Sequence, residues 1–232
     1  MKRVKKRQNN GRKYRFTKAK RQATHTDKWA DRQEPSEKIL VIACGALAKE
    51  ITMLIRANGW THLKTRYLPA KLHNEQAKIL EQLRKNLQNA HKMFSRIFVG
   101  YADCGTGGQL DAMLEEFGAQ RLPGAHCYEF YSGSKTFEKI VQEEIGSYFL
   151  TDFLVKSFEK LIWQGMKIDS HPQLLQIYFG NYRKLVYLAQ TKNPELQAQA
   201  QEFAERLGLK YEYRFTGYGD LEPALSVLSA TG

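Results

Sequence analysis

The sequence contains little cysteine and no long apolar run, and each absence excludes a class of protein. Three cysteines in 232 residues are too few, and odd in number, for the disulfide framework of a small secreted domain. We therefore expect free thiols or metal ligands in a reducing, cytoplasmic environment. No apolar run approaches the roughly 18–20 residues of a membrane span, and no apolar segment follows the basic N-terminus as in a signal peptide. We expect neither a membrane anchor nor secretion.

Most of the chain also lacks net charge, because the excess of basic residues is confined to its start. Residues 1–36 contain 13 Lys and Arg against 3 Asp and Glu, a net charge of +10, whereas the other 23 basic and 21 acidic residues give +2. This segment has no apolar periodicity, and we predict that it is a disordered basic arm. Polybasic arms can bind nucleic acid, but nucleic-acid readers usually carry a basic folded surface as well. We therefore expect a solvated extension and no nucleic-acid partner.

Strand patterns alternate with amphipathic helix patterns through the rest of the chain. Apolar runs such as residues 38–43 and 184–189 are typical of fully buried strands. The alternation predicts an α/β fold with a doubly wound, mainly parallel, Rossmann-like sheet. Strand, Gly-rich turn and helix follow one another in both halves. We therefore predict two lobes, at residues 37–130 and 131–232, after the arm at residues 1–36.

The segment from Arg96 to Asp111 carries the clearest functional pattern. An apolar strand leads into a turn with Asp103, Cys104 and the residues Gly105, Thr106, Gly107 and Gly108, and a helix pattern follows. This unit places a ligand at the C-terminal edge of a parallel sheet. Backbone N–H groups at the start of such a helix favour a thiolate or a bound anion. The turn is therefore a candidate cofactor-binding loop.

The other two cysteines occupy comparable positions. Cys44 ends the first strand, and Cys127 follows a Pro-Gly turn after a short strand pattern. Since such positions lie along one sheet edge, we predict that Cys44, Cys104 and Cys127 form a metal site for an Fe–S cluster or zinc. Asp103, His126 and His73 are the residues that could add a fourth ligand. Asp103 and His126 are also the candidate catalytic residues for proton transfer.

Simpler interpretations of these residues stay open. Each cysteine could be a small buried residue that packs a strand end, and Asp103 could cap the following helix. The glycines could bind phosphate or carboxylate, although the loop is neither a Walker sequence nor a complete GxGxxG motif. Cys104 could instead act alone as a nucleophile, with His126 as its base.

Several short segments of the chain together resemble the sequences of one prokaryotic family, the domain of unknown function 1638. These segments are Ala43–Leu47, Leu72–Asn74, Gly100–Gly108, His126–Phe130, Tyr178–Tyr182 and Gly217–Gly219. The resemblance covers about residues 38–228 and excludes the basic arm. It implies no assigned reaction. Members of the family occur near corrinoid-dependent methyltransferase systems, which implies a corrinoid methyltransferase partner and a link to one-carbon metabolism.

The residues and the resemblance together lead to one expected function and one alternative. We expect a cytosolic α/β protein with a three-cysteine Fe–S or zinc site that acts on a small anionic or sulfur-containing molecule. The alternative is a non-catalytic accessory protein that binds a small molecule or cofactor through the Gly-rich loop. Metal and sulfide analysis of the protein distinguishes the two.

Overall fold

The structure is a computed structural model that describes residues 36–230, and it follows the predicted alternation of strands and helices. The strands are β1 (Ser36–Cys44), β2 (Leu63–Leu68), β3 (Phe94–Gly100), β4 (Gln120–Arg121), β5 (Ser147–Thr151), β6 (Lys184–Ala189) and β7 (Lys210–Phe215). The helices are α1 (Ala48–Ala57), α2 (Gln76–Ala90), α3 (Gln109–Phe117), α4 (Tyr128–Ser132), α5 (Ser134–Glu143), α6 (Asp152–Lys156), α7 (Leu174–Phe179), α8 (Pro194–Leu207) and α9 (Leu221–Ala230). A π-helical turn spans Glu159–Trp163, and short 3₁₀ turns span Gly45–Leu47 and Ala70–Asn74.

The strands form two sheets, each of which is parallel throughout. The first sheet has the order β2-β1-β3-β4, and the second has the order β5-β6-β7. The prediction of a doubly wound, mainly parallel α/β fold is therefore confirmed. Because all strands of a sheet run the same way, the loops that follow β1, β3 and β4 lie along one edge.

The central strands carry the most buried residues of each sheet. β1 has a neighbour on both sides, and its residues Ile39 to Ala43 are at most 2% exposed. β6 is central in the second sheet, and Leu185 to Ala189 are completely buried. Continuous apolar runs suit these positions, because helices cover both faces of a parallel sheet.

The last helix returns from the second sheet to the first. Leu221, Leu225 and Leu228 of α9 belong to the core around β1 and β3, whereas Leu150 and Tyr187 belong to a core around the second sheet. The predicted boundary between residues 130 and 131 falls inside α4. The strands of the two sheets lie on either side of this position in the chain, and the final helix packs in the core of the first sheet.

Two of the predictions concern membranes and the basic arm. Within residues 36–230, no helix has the length and apolar character that crossing a membrane requires. Apart from Ser36, the predicted arm at residues 1–36 lies outside the described residues.

Candidate functional site

Cys44 lies at the C-terminal edge of the first sheet because it is the last residue of β1. In the register of β1 with β3, Ala43 is opposite Gly100. A Cβ atom at Gly100 would lie 2.8 Å from the Cβ of Ala43, which is closer than real side chains approach. Glycine at this position therefore allows the two strands to end side by side, and their loops start from neighbouring points.

Cys104 and Cys127 come together because their loops are hydrogen-bonded to each other. The N–H of Asp103 donates to the carbonyl of Gly124 at 3.0 Å, and the N–H of Cys104 donates to that of Ala125 at 2.9 Å. Cys104 has a positive φ of 49°, an uncommon conformation for a residue with a side chain. In this arrangement the two Sγ atoms are 3.7 Å apart.

The two thiols share a hydrogen bond, which changes the acidity of both. The hydrogen bond from Cys127 lowers the pKa of Cys104, and its counterpart raises the pKa of Cys127, together with burial. Charge on Cys44 also contributes to the raised pKa of Cys127. Negative charge on Cys104 or Cys44 therefore disfavours deprotonation of Cys127.

The hydroxyl of a buried tyrosine, Tyr101, affects the acidity of Cys44. Burial raises the pKa of the Cys44 thiol, while contact with the hydroxyl of Tyr101 partly opposes that shift. Tyr101 is 2% exposed, and its hydroxyl has no hydrogen-bond partner of normal geometry within residues 36–230. Burial, followed by the charge of Cys44, raises the pKa of the Tyr101 hydroxyl. This hydroxyl is therefore free to donate to a Cys44 thiolate.

A cavity of about 200 Å³ opens between the C-terminal edges of the two sheets. Its lining residues are Cys44, Ala46, Leu47, Ala70, Lys71, Cys127, Tyr128, Tyr131, Tyr148, Thr151, Phe153, Leu154, Leu161, Ile162 and Met166. The lining is mostly apolar, and Lys71 is its charged residue. Two of the three cysteines thus face the cavity, while Cys104 lies behind Cys127.

The three cysteines are not close enough together to form a three-ligand metal site within residues 36–230. Among the residues that the structure describes, no group of three or more His, Cys, Asp or Glu side chains has the placement to hold a metal ion. The 3.7 Å separation of the Cys104 and Cys127 sulfurs is nevertheless close to the roughly 3.8 Å between two thiolates on one tetrahedral zinc. Two ligands are therefore spaced for a metal, and Cys44 would have to approach them.

The Gly-rich loop is closed by its own aspartate. The carboxylate of Asp103 accepts from the Thr106 hydroxyl at 2.7 Å, from the N–H of Gly108 at 3.0 Å and from that of Gly107 at 3.2 Å. The Thr106 hydrogen bond is the main cause that lowers the pKa of Asp103. The loop of Gly105 to Gly108 thus already holds an anion, and a ligand anion would have to displace Asp103.

His126 lies on the surface beside the cysteines. Its side chain is exposed, and its ring centroid is 6.5 Å from that of Tyr128 and 6.1 Å from that of Phe137. Neither His126 nor Asp103 lines the cavity. The side chain of His73 lies outside the described part of the chain. Their predicted roles in proton transfer or metal binding remain predictions.

The sequence interpretation missed a buried acid near the cavity. Glu50 in α1 is 4% exposed, and its Oε2 atom has no hydrogen-bond partner within residues 36–230. Burial raises the pKa of the Glu50 carboxyl, and its charge helps to raise the pKa of Tyr131, a residue of the cavity wall. The available signal was the position of Glu50 on the same helix face as Leu47, Ile51 and Leu54.

A second buried carboxylate, Asp152, is fully occupied by structural contacts. Its oxygens accept from the Tyr187 hydroxyl at 2.8 Å and from the backbone N–H groups of Gln190 at 3.0 Å and Thr191 at 3.1 Å. In return, the Gln190 side chain accepts from the N–H of Asp152 at 2.8 Å. These bonds join the ends of β5 and β6, so Asp152 shapes the cavity wall without facing a ligand.

One comparison with known proteins identifies the family of this chain. A family model described as a protein of unknown function, DUF1638, matches residues 67–225. The match covers more than half of the chain, so the chain belongs to this family. It includes Cys104 and Cys127 but begins after Cys44. Neither the curated proteins nor the solved structures contain a match to the chain.

Proposed function

We propose that this member of the DUF1638 family is a cytosolic metalloprotein that holds zinc or an Fe–S cluster through Cys44, Cys104 and Cys127. The metal would lie at the wall of the cavity, where the protein acts on a small anionic or sulfur-containing molecule. One observation carries the proposal: the Cys104 and Cys127 sulfurs are 3.7 Å apart, and Cys127 and Cys44 both line the cavity.

The donor set suits a soft or borderline metal. Thiolates select zinc and Fe–S clusters over hard cations such as magnesium. With three protein ligands, one coordination position stays open, as in catalytic zinc sites and in clusters that bind substrate. When bound, such a metal polarises a ligand atom as a Lewis acid.

The surrounding residues have roles that follow from their positions. The Tyr101 hydroxyl would donate to the Cys44 thiolate, which orients that ligand as outer hydrogen bonds do in metal sites. The mostly apolar lining lowers the local dielectric constant, which strengthens electrostatic interactions at the cavity wall. Lys71 supplies a positive charge at its wall, which favours an anionic molecule.

The size of the cavity limits the substrate. An engineered cavity of about 150 Å³ holds benzene, so a cavity of about 200 Å³ suits a molecule only slightly larger. A corrinoid is far too large to enter it. If the protein serves a corrinoid methyltransferase system in one-carbon metabolism, it would act on a small metabolite of that system or contact the partner protein by its surface.

The alternative is an accessory protein that binds a small molecule without chemistry. The contacts of Asp103 weaken the version of this alternative that uses the Gly-rich loop, because the N–H groups of Gly107 and Gly108 are already occupied. The cavity itself is then the binding site, and the cysteines are packing residues of its wall.

Anaerobic purification of the full chain, followed by metal and acid-labile sulfide analysis, tests the proposal. We expect about one metal site per chain, and we expect Cys44→Ser, Cys104→Ser and Cys127→Ser each to lower bound metal. Ile145→Ala, at a surface position that is 86% exposed, is the control and should keep the full metal content. Protein without metal, or full metal content after any of the three cysteine substitutions, would overturn the three-cysteine site.

A further inference from the structure

We propose that Cys104 and Cys127 are also a redox-active dithiol, which reduces small disulfides that enter the cavity. This activity goes beyond the proposed metal site and does not depend on it. It uses two of the same sulfurs in the metal-free protein. The spacing of the two sulfurs, the backbone bonds between their loops and the exposure of Cys127 to the cavity support it.

The two sulfurs are close enough to bond with a small movement. A disulfide has an S–S length of about 2.0 Å, and the Sγ atoms of Cys104 and Cys127 are 3.7 Å apart. They therefore need to approach by about 1.7 Å. The backbone hydrogen bonds from Asp103 to Gly124 and from Cys104 to Ala125 hold the two loops together, so the sulfurs can approach without separation of the loops.

The positions of the two sulfurs assign them different steps. Cys127 lines the cavity and is partly exposed, whereas Cys104 is 6% exposed and does not line it. A disulfide in the cavity therefore meets Cys127 first, and Cys104 lies behind Cys127 in the place of a resolving thiol. The apolar lining and the volume of about 200 Å³ suit a short disulfide with small substituents.

The exchange balances in two steps. The Cys127 sulfur attacks one sulfur of the small disulfide as its proton passes along the shared hydrogen bond to the Cys104 thiolate; the S–S bond of the small disulfide breaks, and the first small thiolate leaves with the proton that Cys104 then gives up. The Cys104 thiolate next attacks the Cys127 sulfur of the mixed disulfide and releases the second small thiolate, which takes a proton from water. The protein dithiol loses two electrons and two protons, and the small disulfide gains both, so no further oxidant is required.

Bis(2-hydroxyethyl) disulfide is a suitable probe because it is short and uncharged. The full chain is reduced, stripped of metal with a chelator, desalted anaerobically and mixed with the probe. We expect two equivalents of mercaptoethanol per chain, and peptide mass spectrometry should find a Cys104–Cys127 disulfide. This assay on the unsubstituted protein requires no variant to fold.

Variants separate the two steps. Cys104→Ser should stop at a mixed disulfide on Cys127 with one equivalent of released thiol, and Cys127→Ser should react at least tenfold more slowly. A stable mixed disulfide on the unsubstituted protein, or a disulfide that joins Cys44 to either partner, would overturn the assignment. Absence of any reaction within hours would overturn it as well.

The same variants keep this inference distinct from the metal proposal. In Cys44→Ser, the metal proposal requires a loss of bound metal, whereas the dithiol proposal requires that the Cys104–Cys127 disulfide still forms. Metal binding with no exchange in the metal-free protein rejects only the dithiol. Exchange in a protein that never binds metal rejects only the metal site.

Discussion

Gly219 lies where the chain crosses from the second sheet back to the first, and replacing it with alanine tests that crossing. Gly219 has a φ of +50°. A Cβ atom there would lie 2.1 Å from the carbonyl oxygen of Tyr131 and 2.5 Å from that of Phe130. Both are backbone atoms of α4, and the N–H of Asp220 donates to the Phe130 carbonyl at 2.8 Å. The added methyl group therefore cannot be accommodated by a side-chain rotation.

The expected loss of stability has two parts. The left-handed conformation costs a residue with a Cβ about 1–2 kcal/mol, and forcing extra volume into a packed site adds about 1–3 kcal/mol. For Gly219→Ala we expect a total of about 2–5 kcal/mol. Gly217 is a matched control, because its φ is +59° and no atom lies within 4 Å of its added Cβ. Gly217→Ala should therefore lose only the first part.

Urea unfolding of the two variants measures the difference. With an m-value of about 3 kcal/mol/M, the additional loss in Gly219→Ala moves the midpoint about 0.3–1 M below that of Gly217→Ala. Equal midpoints would show that α4 and the crossing loop are not packed as described. The comparison cancels the conformational cost, because both substitutions force alanine into a left-handed conformation.

Two further predictions concern the core and the buried acid. Ile42→Ala should lower the free energy of unfolding by about 2–5 kcal/mol, because Ile42 is completely buried in central β1. The control Ile145→Ala, at an exposed position, should lower it by less than about 0.5 kcal/mol. A similar loss in both variants would place β1 at an edge of the sheet. Burial raises the pKa of Glu50 above 4.5, so the folded state holds the proton more tightly and stability falls as pH rises from that value toward the folded pKa. Glu50→Gln should remove this loss in urea unfolding measured at a series of pH values from 4.5 upward; a stability difference from the unsubstituted protein that does not change with pH would contradict it.

The sequence predicts best those helices and strands whose ends are determined by neighbouring residues in the chain. Asn193 accepts from the N–H groups of Glu195 and Leu196 at 2.9 and 3.1 Å, and Pro194 begins α8. Gly208 ends that helix with a φ of +71°. Capping and termination are local effects, so Asn193, Pro194 and Gly208 mark both limits of α8 in the sequence.

Other elements escape prediction because their stability comes from tertiary contacts. α4 has only five residues, too few for a helical pattern, and its buried residues Phe130 and Tyr131 pack in the first core. The apolar face of α9 is clear in the sequence, but an amphipathic pattern cannot state which sheet it covers. The sequence therefore predicts the order of strands and helices, but not which sheet the final helix covers.

The geometry of the candidate site could also be predicted only in part from the sequence. That Cys44 and Cys104 follow parallel strands predicts a common edge. Their final distances depend on loop conformations such as the positive φ of Cys104, which no residue pattern encodes. One sequence interpretation made Asp103 the cap of the following helix, but Gly108 is the residue that precedes α3, and the Asp103 carboxylate accepts from the N–H groups of Gly107 and Gly108 in the loop.

The metal and dithiol proposals depend differently on the position of α4. Cys44 is fixed by β1, whereas Cys127 directly precedes α4, whose carbonyls contact Gly219. A shift of α4 therefore changes the distance from Cys44 to Cys127. Backbone hydrogen bonds join the Cys104 loop to residues 124 and 125, so Cys104 would move with Cys127. We expect Gly219→Ala, under conditions where it stays folded, to weaken metal binding and to leave the Cys104–Cys127 disulfide intact. Loss of both would show that α4 also positions the dithiol.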